Sequence, residues 1–202
     1  MRSSLAAIAT LALVVGACNG RQKDAAAGDT ITPGAPVAAA GAAGATGASD
    51  SAAGRATATA PMRDAKGRDL GTVTLTETGQ GIAVAGTLRG LPPGTHAIHV
   101  HTTGKCEPPF ESAGGHWNPT NRQHGAQNPQ GPHLGDMPNI TVGADSSATV
   151  RVTTSGGTLR GTDALMDGDG ATVMVHAGAD DYRSNPAGNA GARVACGVVT
   201  GA

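Results

Sequence analysis

From residue 56 onward, hydrophobic and polar positions alternate in short bursts. Val73 and Leu75, Ile82 and Val84, and Val150 and Val152 fall at period two, the spacing of strands with one face buried. The bursts predict strands over 56–62, 72–77, 82–88, 95–101, 148–153, 172–176 and 194–199. Turn chemistry separates them: Lys66-Gly67, Gly79-Gln80-Gly81, Pro92-Pro93-Gly94, Asp145-Ser146-Ser147 and Asp167-Gly168-Asp169-Gly170. Beyond the N-terminal apolar stretch, no window of a dozen residues carries a helical stripe. The pattern predicts an all-β fold, a Greek-key β-barrel or sandwich of about eight antiparallel strands with long loops. Between residues 102 and 139 the alternation stops. An irregular stretch of that length is usually functional or disordered, and it holds His116, His124 and His133.

The first 55 residues follow other rules. Arg2 precedes a nearly unbroken apolar stretch over 5–15, too short to span a bilayer and suited to a secretory leader. It ends in Val15-Gly16-Ala17-Cys18, which resembles a bacterial lipobox. The expected organisation is a lipoprotein signal peptide over 1–17, lipidation at Cys18, an Ala/Gly-rich tether over 18–55, and a folded domain over 56–202. A tether of this composition buries too little apolar surface to offset its chain entropy. An exported protein anchored in a membrane of the cell envelope, facing periplasm or exterior, is therefore expected. The competing reading is an ordinary leader in which Cys18 is incidental.

Composition adds exclusions. Fourteen basic and fifteen acidic residues leave a net charge of −1, which argues against broad nucleic-acid binding. Alanine inflates the 39% hydrophobic content, so the core must come from Val, Leu and Ile. The three cysteines and seven histidines are the chemical anomalies.

His99 and His101 lie two apart on a predicted strand and so share a face, while Ile98 and Val100 point into the core. Downstream come His116, His124, His133 and Asp136, then His176 at the end of another strand. Imidazoles suit copper and zinc, and three imidazoles with one carboxylate make a plausible zinc set. The count suggests two metals. Asp167-Gly168-Asp169-Gly170 lacks the further acidic ligands of a calcium loop and is expected to be a turn. Asn139-Ile140-Thr141 fits a glycosylation acceptor, a match that is uninformative in a bacterial lipoprotein.

Several segments, taken in order, resemble the copper/zinc superoxide dismutases: 94–101 (GTHAIHVH), 104–107 (GKCE), 112–119 (SAGGHWNP), His124-Gly125, 132–136 (PHLGD) and 188–197 (GNAGARVACG). The resemblance runs from about residue 57 to the end. It implies that His99, His101, His116 and His176 bind copper, and that His116, His124, His133 and Asp136 bind zinc, with His116 as a bridging imidazolate. Asp180 would link a copper histidine to a zinc histidine, and Arg193 would attract and place the anionic substrate. His96 would bond backbone without touching metal. Cys106 and Cys196 would form the intrasubunit disulfide. The implied activity is dismutation of superoxide to oxygen and hydrogen peroxide by alternating oxidation and reduction of copper, protecting the cell envelope, with a homodimer possible. The alternative is a non-catalytic copper-binding or chaperone-like module of the same fold. One departure is plain: after Asp181 the segment Tyr182–Ala187 is short and lacks the lysines and glutamates that guide substrate in eukaryotic relatives.

Overall fold

In a computed structural model the described residues are 55–201. The expected signal peptide, Cys18 and the tether up to residue 54 lie outside them. Nine strands are present, numbered here in chain order: β1 Thr57–Asp64, β2 Asp69–Thr78, β3 Gly81–Arg89, β4 Gly94–His96, β5 Ile98–His101, β6 Ile140–Val142, β7 Ser147–Thr153, β8 Thr172–His176 and β9 Arg193–Val198. Among the described residues the only helical element is one 3₁₀ turn, Glu111–Ala113, and no helix is long and apolar enough to cross a membrane.

Seven strands form an antiparallel sheet in the order β5-β8-β9-β1-β2-β3-β7, and β4 pairs with β6 separately. The sheet curls into a half-barrel whose inner face carries the alternating apolar positions. Ala58, Ala60 and Met62 of β1, Val73 and Leu75 of β2, Val84 and Leu88 of β3, and Val150 and Val152 of β7 join one core cluster. The outward positions Thr59, Thr74, Ala85 and Arg151 stand beside one another across β1, β2, β3 and β7 and are exposed. Period-two alternation thus decides which face is buried.

Two departures from the strand forecast concern the region nearest the histidines. The single strand expected over 95–101 is interrupted at Ala97: β4 pairs with β6, while β5 pairs with β8. Ala97 is fully buried and still bonds on both sides, its N–H to Gly178 and its C=O to the N–H of His176. β6 itself was not anticipated, because three residues are too few to show an alternation.

β5 is buried at all four positions. One edge takes β8, and the other is completed by the long loop. Trp117 N–H donates to Val100 C=O at 2.8 Å, and Val100 N–H donates to Gly135 C=O at 3.0 Å. These bonds bring His116 opposite His101 and Asp136 opposite His99. A second small cluster of Phe110, Ala113, Met174 and Cys196, with Cys106 packed on it, fastens the front of the loop to β8 and β9. Cys106 and Cys196 are disulfide-bonded. The expected turn at Asp167–Gly170 is closed by Gly170 N–H on Asp167 C=O at 3.2 Å.

Candidate metal centre

Six histidines and two aspartates from distant parts of the chain converge at the end of β5. His99 and His101 come from β5 and His176 from the last position of β8, where a register shift between Val175 and His176 re-aims the side chain. His116, His124, His133 and Asp136 come from the long loop, and Asp180 from the segment after β8. All eight are buried.

Two groups of four could each hold one metal ion: His99, His101, His116 and His176, and His116, His124, His133 and Asp136. Within each, the ligand atoms lie within 4.8 Å of one another, and His116 belongs to both.

The first group is defined by what its nitrogens lack. Each ring spends one nitrogen on a neighbour. His99 Nε2 donates to Asp180 Oδ2 at 2.8 Å, His101 Nδ1 to Gly114 C=O at 3.0 Å, and His176 Nδ1 to Gly191 C=O at 3.1 Å. His116 Nδ1 faces Asp136 Oδ1 at 2.8 Å. The remaining nitrogens, His99 Nδ1, His101 Nε2, His116 Nε2 and His176 Nε2, are buried without a hydrogen-bond partner. Four bare imidazole lone pairs facing one another would be costly unless something coordinates them. Their protonation state suits that purpose. Burial lowers His99, pushes His101 well below the usual range, and brings His116 and His176 down to about 4, partly offset by their hydrogen-bond acceptors. At neutral pH all four present lone pairs. An all-imidazole set of this kind suits copper.

The second group has a carboxylate at its centre. Asp136 Oδ1 lies 2.8, 3.1 and 3.3 Å from the Nδ1 atoms of His116, His124 and His133. Its Oδ2 accepts N–H bonds from Gly125 and His133 at 2.8 and 3.0 Å. Burial opposes its charge, but the three rings and these bonds hold Asp136 far below the usual carboxylate range. Three imidazoles and one carboxylate oxygen form a donor set that suits zinc.

Asp180 joins the groups, accepting from His99 on Oδ2 and from His124 Nε2 on Oδ1 at 2.9 Å. Such partners fix tautomer and ring orientation. His124 lies between two carboxylates. Burial works against its charge, but the bonds to Asp136 and Asp180 prevail and raise it to about 9. Gly188 packs so closely on this link that an added Cβ would overlap Asp180 and His124, and its φ of +63° also favours glycine.

Arg193 donates to Phe110 C=O at 2.6 Å and to Gly114 C=O at 2.7 Å. Gly114 C=O also accepts from His101, so the guanidinium is tied to the same carbonyl that orients a ring of the first group. Its side chain is 17% exposed, and its Nη2 also lies 3.8 Å from the exposed Glu111 Oε2. His96 places both ring nitrogens 2.8 Å from carbonyl oxygens, those of His176 and Pro92, and belongs to neither cluster. Residue types alone did not disclose the role of Gly188. The glycine's place at the head of the GNAG run, 188–191, was the available signal.

The family model described as copper/zinc superoxide dismutase matches residues 70–199. The chain is 44% identical over 134 residues to a protein named superoxide dismutase [Cu-Zn] 2 from Aquifex aeolicus, covering 64% of this chain and 78% of that one. It is also 44% identical over 136 residues to superoxide dismutase [Cu-Zn] from Caulobacter vibrioides, covering 65% and 78%. Among solved structures, the crystal structure of a SOD-like protein from Bacillus subtilis matches with a TM-score of 0.67 at 35% identity, over 70% of this chain and 97% of that one. The chain belongs to the copper/zinc superoxide dismutase family, whose members use copper and zinc.

Proposed function

We propose that this protein dismutates superoxide, turning two superoxide anions and two protons into oxygen and hydrogen peroxide. In this reading His99, His101, His116 and His176 hold copper, and His116, His124, His133 and Asp136 hold zinc. Bound copper supplies the one-electron exchange with superoxide, and redox-silent zinc supplies a fixed positive charge. The rest is the work of side chains. His116 Nε2 has no protein partner while Nδ1 belongs to the second group, so this ring would hold and release at Nε2 one of the two protons that hydrogen peroxide needs, water supplying the other. Asp180 keeps His99 and His124 in fixed orientation from one carboxylate. Arg193, held by the carbonyls of Phe110 and Gly114, draws in and aligns the anion. A small diatomic anion offers little shape to recognise, so charge does most of the selection.

The observation that carries this reading is the set of four bare, buried nitrogens with His116 shared between the groups. A zinc hydrolase would not require an all-imidazole set beside Arg193. Superoxide decay in the presence of the copper- and zinc-loaded protein tests it. Activity should be lost in His101→Ala and retained in Asp136→Ala; the reverse order would point to zinc chemistry. A non-catalytic copper-binding module, kept in view by the likeness to a SOD-like protein, predicts copper uptake without turnover.

The proposed setting is the cell envelope, where a lipid on Cys18 anchors the chain and the enzyme removes extracytoplasmic superoxide. The lipobox-like residues and a disulfide suited to an oxidising compartment support this. Radioactive fatty acid should label the wild type and not Cys18→Ala; label retained in the variant would refute it.

A further inference from the structure

Tyr182 belongs to neither metal cluster, yet it is bound into the scaffold from three directions. Its φ of 62° lies in the left-handed region, which is unfavourable for a non-glycine residue and persists only where the surroundings over-determine it. Its N–H donates to Asp180 Oδ1 at 2.6 Å, the same oxygen that accepts from His124. Its C=O accepts from Gln127 N–H at 3.0 Å and lies against Gly125 so closely that an added Cβ there would overlap it. Its hydroxyl accepts from the N–H of Asn139 at 2.8 Å.

Asn139 completes the circuit. Its side chain is bonded at both ends to the backbone of Asp180: Asp180 N–H donates to Asn139 Oδ1 at 2.9 Å, and Asn139 Nδ2 donates to Asp180 C=O at 3.0 Å. Tyr182, Asn139 and Asp180 therefore form a closed ring of hydrogen bonds around the carboxylate that bonds His99 and His124. The phenol borders a cavity of about 380 Å³ with Met137, Pro138 and Thr153.

We propose that Tyr182 is a positioning residue for the metal centre: through Asn139 it closes the hydrogen-bond ring that sets the angle at which Asp180 faces His99 and His124. The proposal rests on the zinc assignment made above. Removing a group bonded directly to a ligating histidine typically weakens metal affinity about 10- to 100-fold, and Tyr182, one step further out, belongs at the lower end.

The test is zinc affinity of the full, disulfide-bonded chain, measured by competition with a chromophoric chelator. Wild type is compared with Tyr182→Phe, Asp180→Asn and the double variant. Tyr182→Phe is expected to weaken zinc binding about 10-fold, whereas in the Asp180→Asn background it should change nothing, because its effect passes through that carboxylate. Equal affinity of Tyr182→Phe and wild type overturns the proposal, as do effects that simply multiply in the double variant. Amide exchange in the wild type supplies a check that no variant's folding can confound. The Asn139 N–H should be protected, and exchange at the rate of a free loop amide would also overturn the proposal. A wild type that takes up no zinc overturns the zinc assignment and this inference together, a result distinct from the others.

Discussion

His116 is one ring whose two nitrogens serve different neighbours, so its replacement is predicted to damage both groups. In His116→Ala, loss of copper and of zinc in the same metal analysis is expected; loss of one alone would contradict a shared ligand. The buried titrating groups also fix how the metal-free fold responds to pH. His116 and His176 are lowered to about 4 from the usual 6.5, chiefly by burial. Between those values the unfolded chain binds protons that the folded chain refuses, so stability rises with pH. His124 is raised to about 9 from 6.5, burial being outweighed by Asp136 and Asp180. Its contribution is full below 6.5 and lost as pH climbs through about 9. Thermal midpoints of chelator-treated protein should therefore peak near pH 6.5 and fall on both sides. A monotonic rise from pH 4 to 9 would contradict the His124 environment described.

At the scale of elements, the loop joining β5 to β6 depends on its tie to β9. The Cys106–Cys196 bond closes a separation of 90 residues, for which chain-entropy arithmetic gives about 4.5 kcal/mol, an upper figure. Changing both cysteines to serine is predicted to cost about 2–5 kcal/mol by denaturant titration. It should also lower activity, because the carbonyls of Phe110 and Gly114 that hold Arg193 ride on that loop. Unchanged activity in the folded variant would mean that Arg193 is held by other means. Much of this element plan could be read from residues alone: Val73 with Leu75 and Val150 with Val152 located β2 and β7, and the missing alternation after His101 located the ligand loop. The interruption at Ala97 was not legible, because Thr95 to His101 reads as one run and only pairing partners distinguish β4 from β5. β6 follows Pro138 and is too short to alternate. The ring of Asn139, Asp180 and Tyr182 joins residues more than 40 apart, and no local pattern encodes such a contact.

At the scale of the whole molecule, the two groups draw on both edges of β5, on β8, on the long loop and on the segment carrying Asp180, so metal and fold should be linked. A ligand that binds only the folded state stabilises it in proportion to the logarithm of its concentration over its dissociation constant. Chelation of both metals is predicted to lower the thermal midpoint by well over 10 °C, about what several kcal/mol does to a domain of this size. An unchanged midpoint would mean that the histidine groups hold no metal in the folded protein. Redox catalysis at these groups is read by pulse radiolysis of superoxide. With copper- and zinc-loaded protein, second-order decay should accelerate to a rate approaching the diffusional ceiling of about 10⁹ M⁻¹s⁻¹ and collapse in His101→Ala. Decay no faster than with the metal-free protein would contradict it.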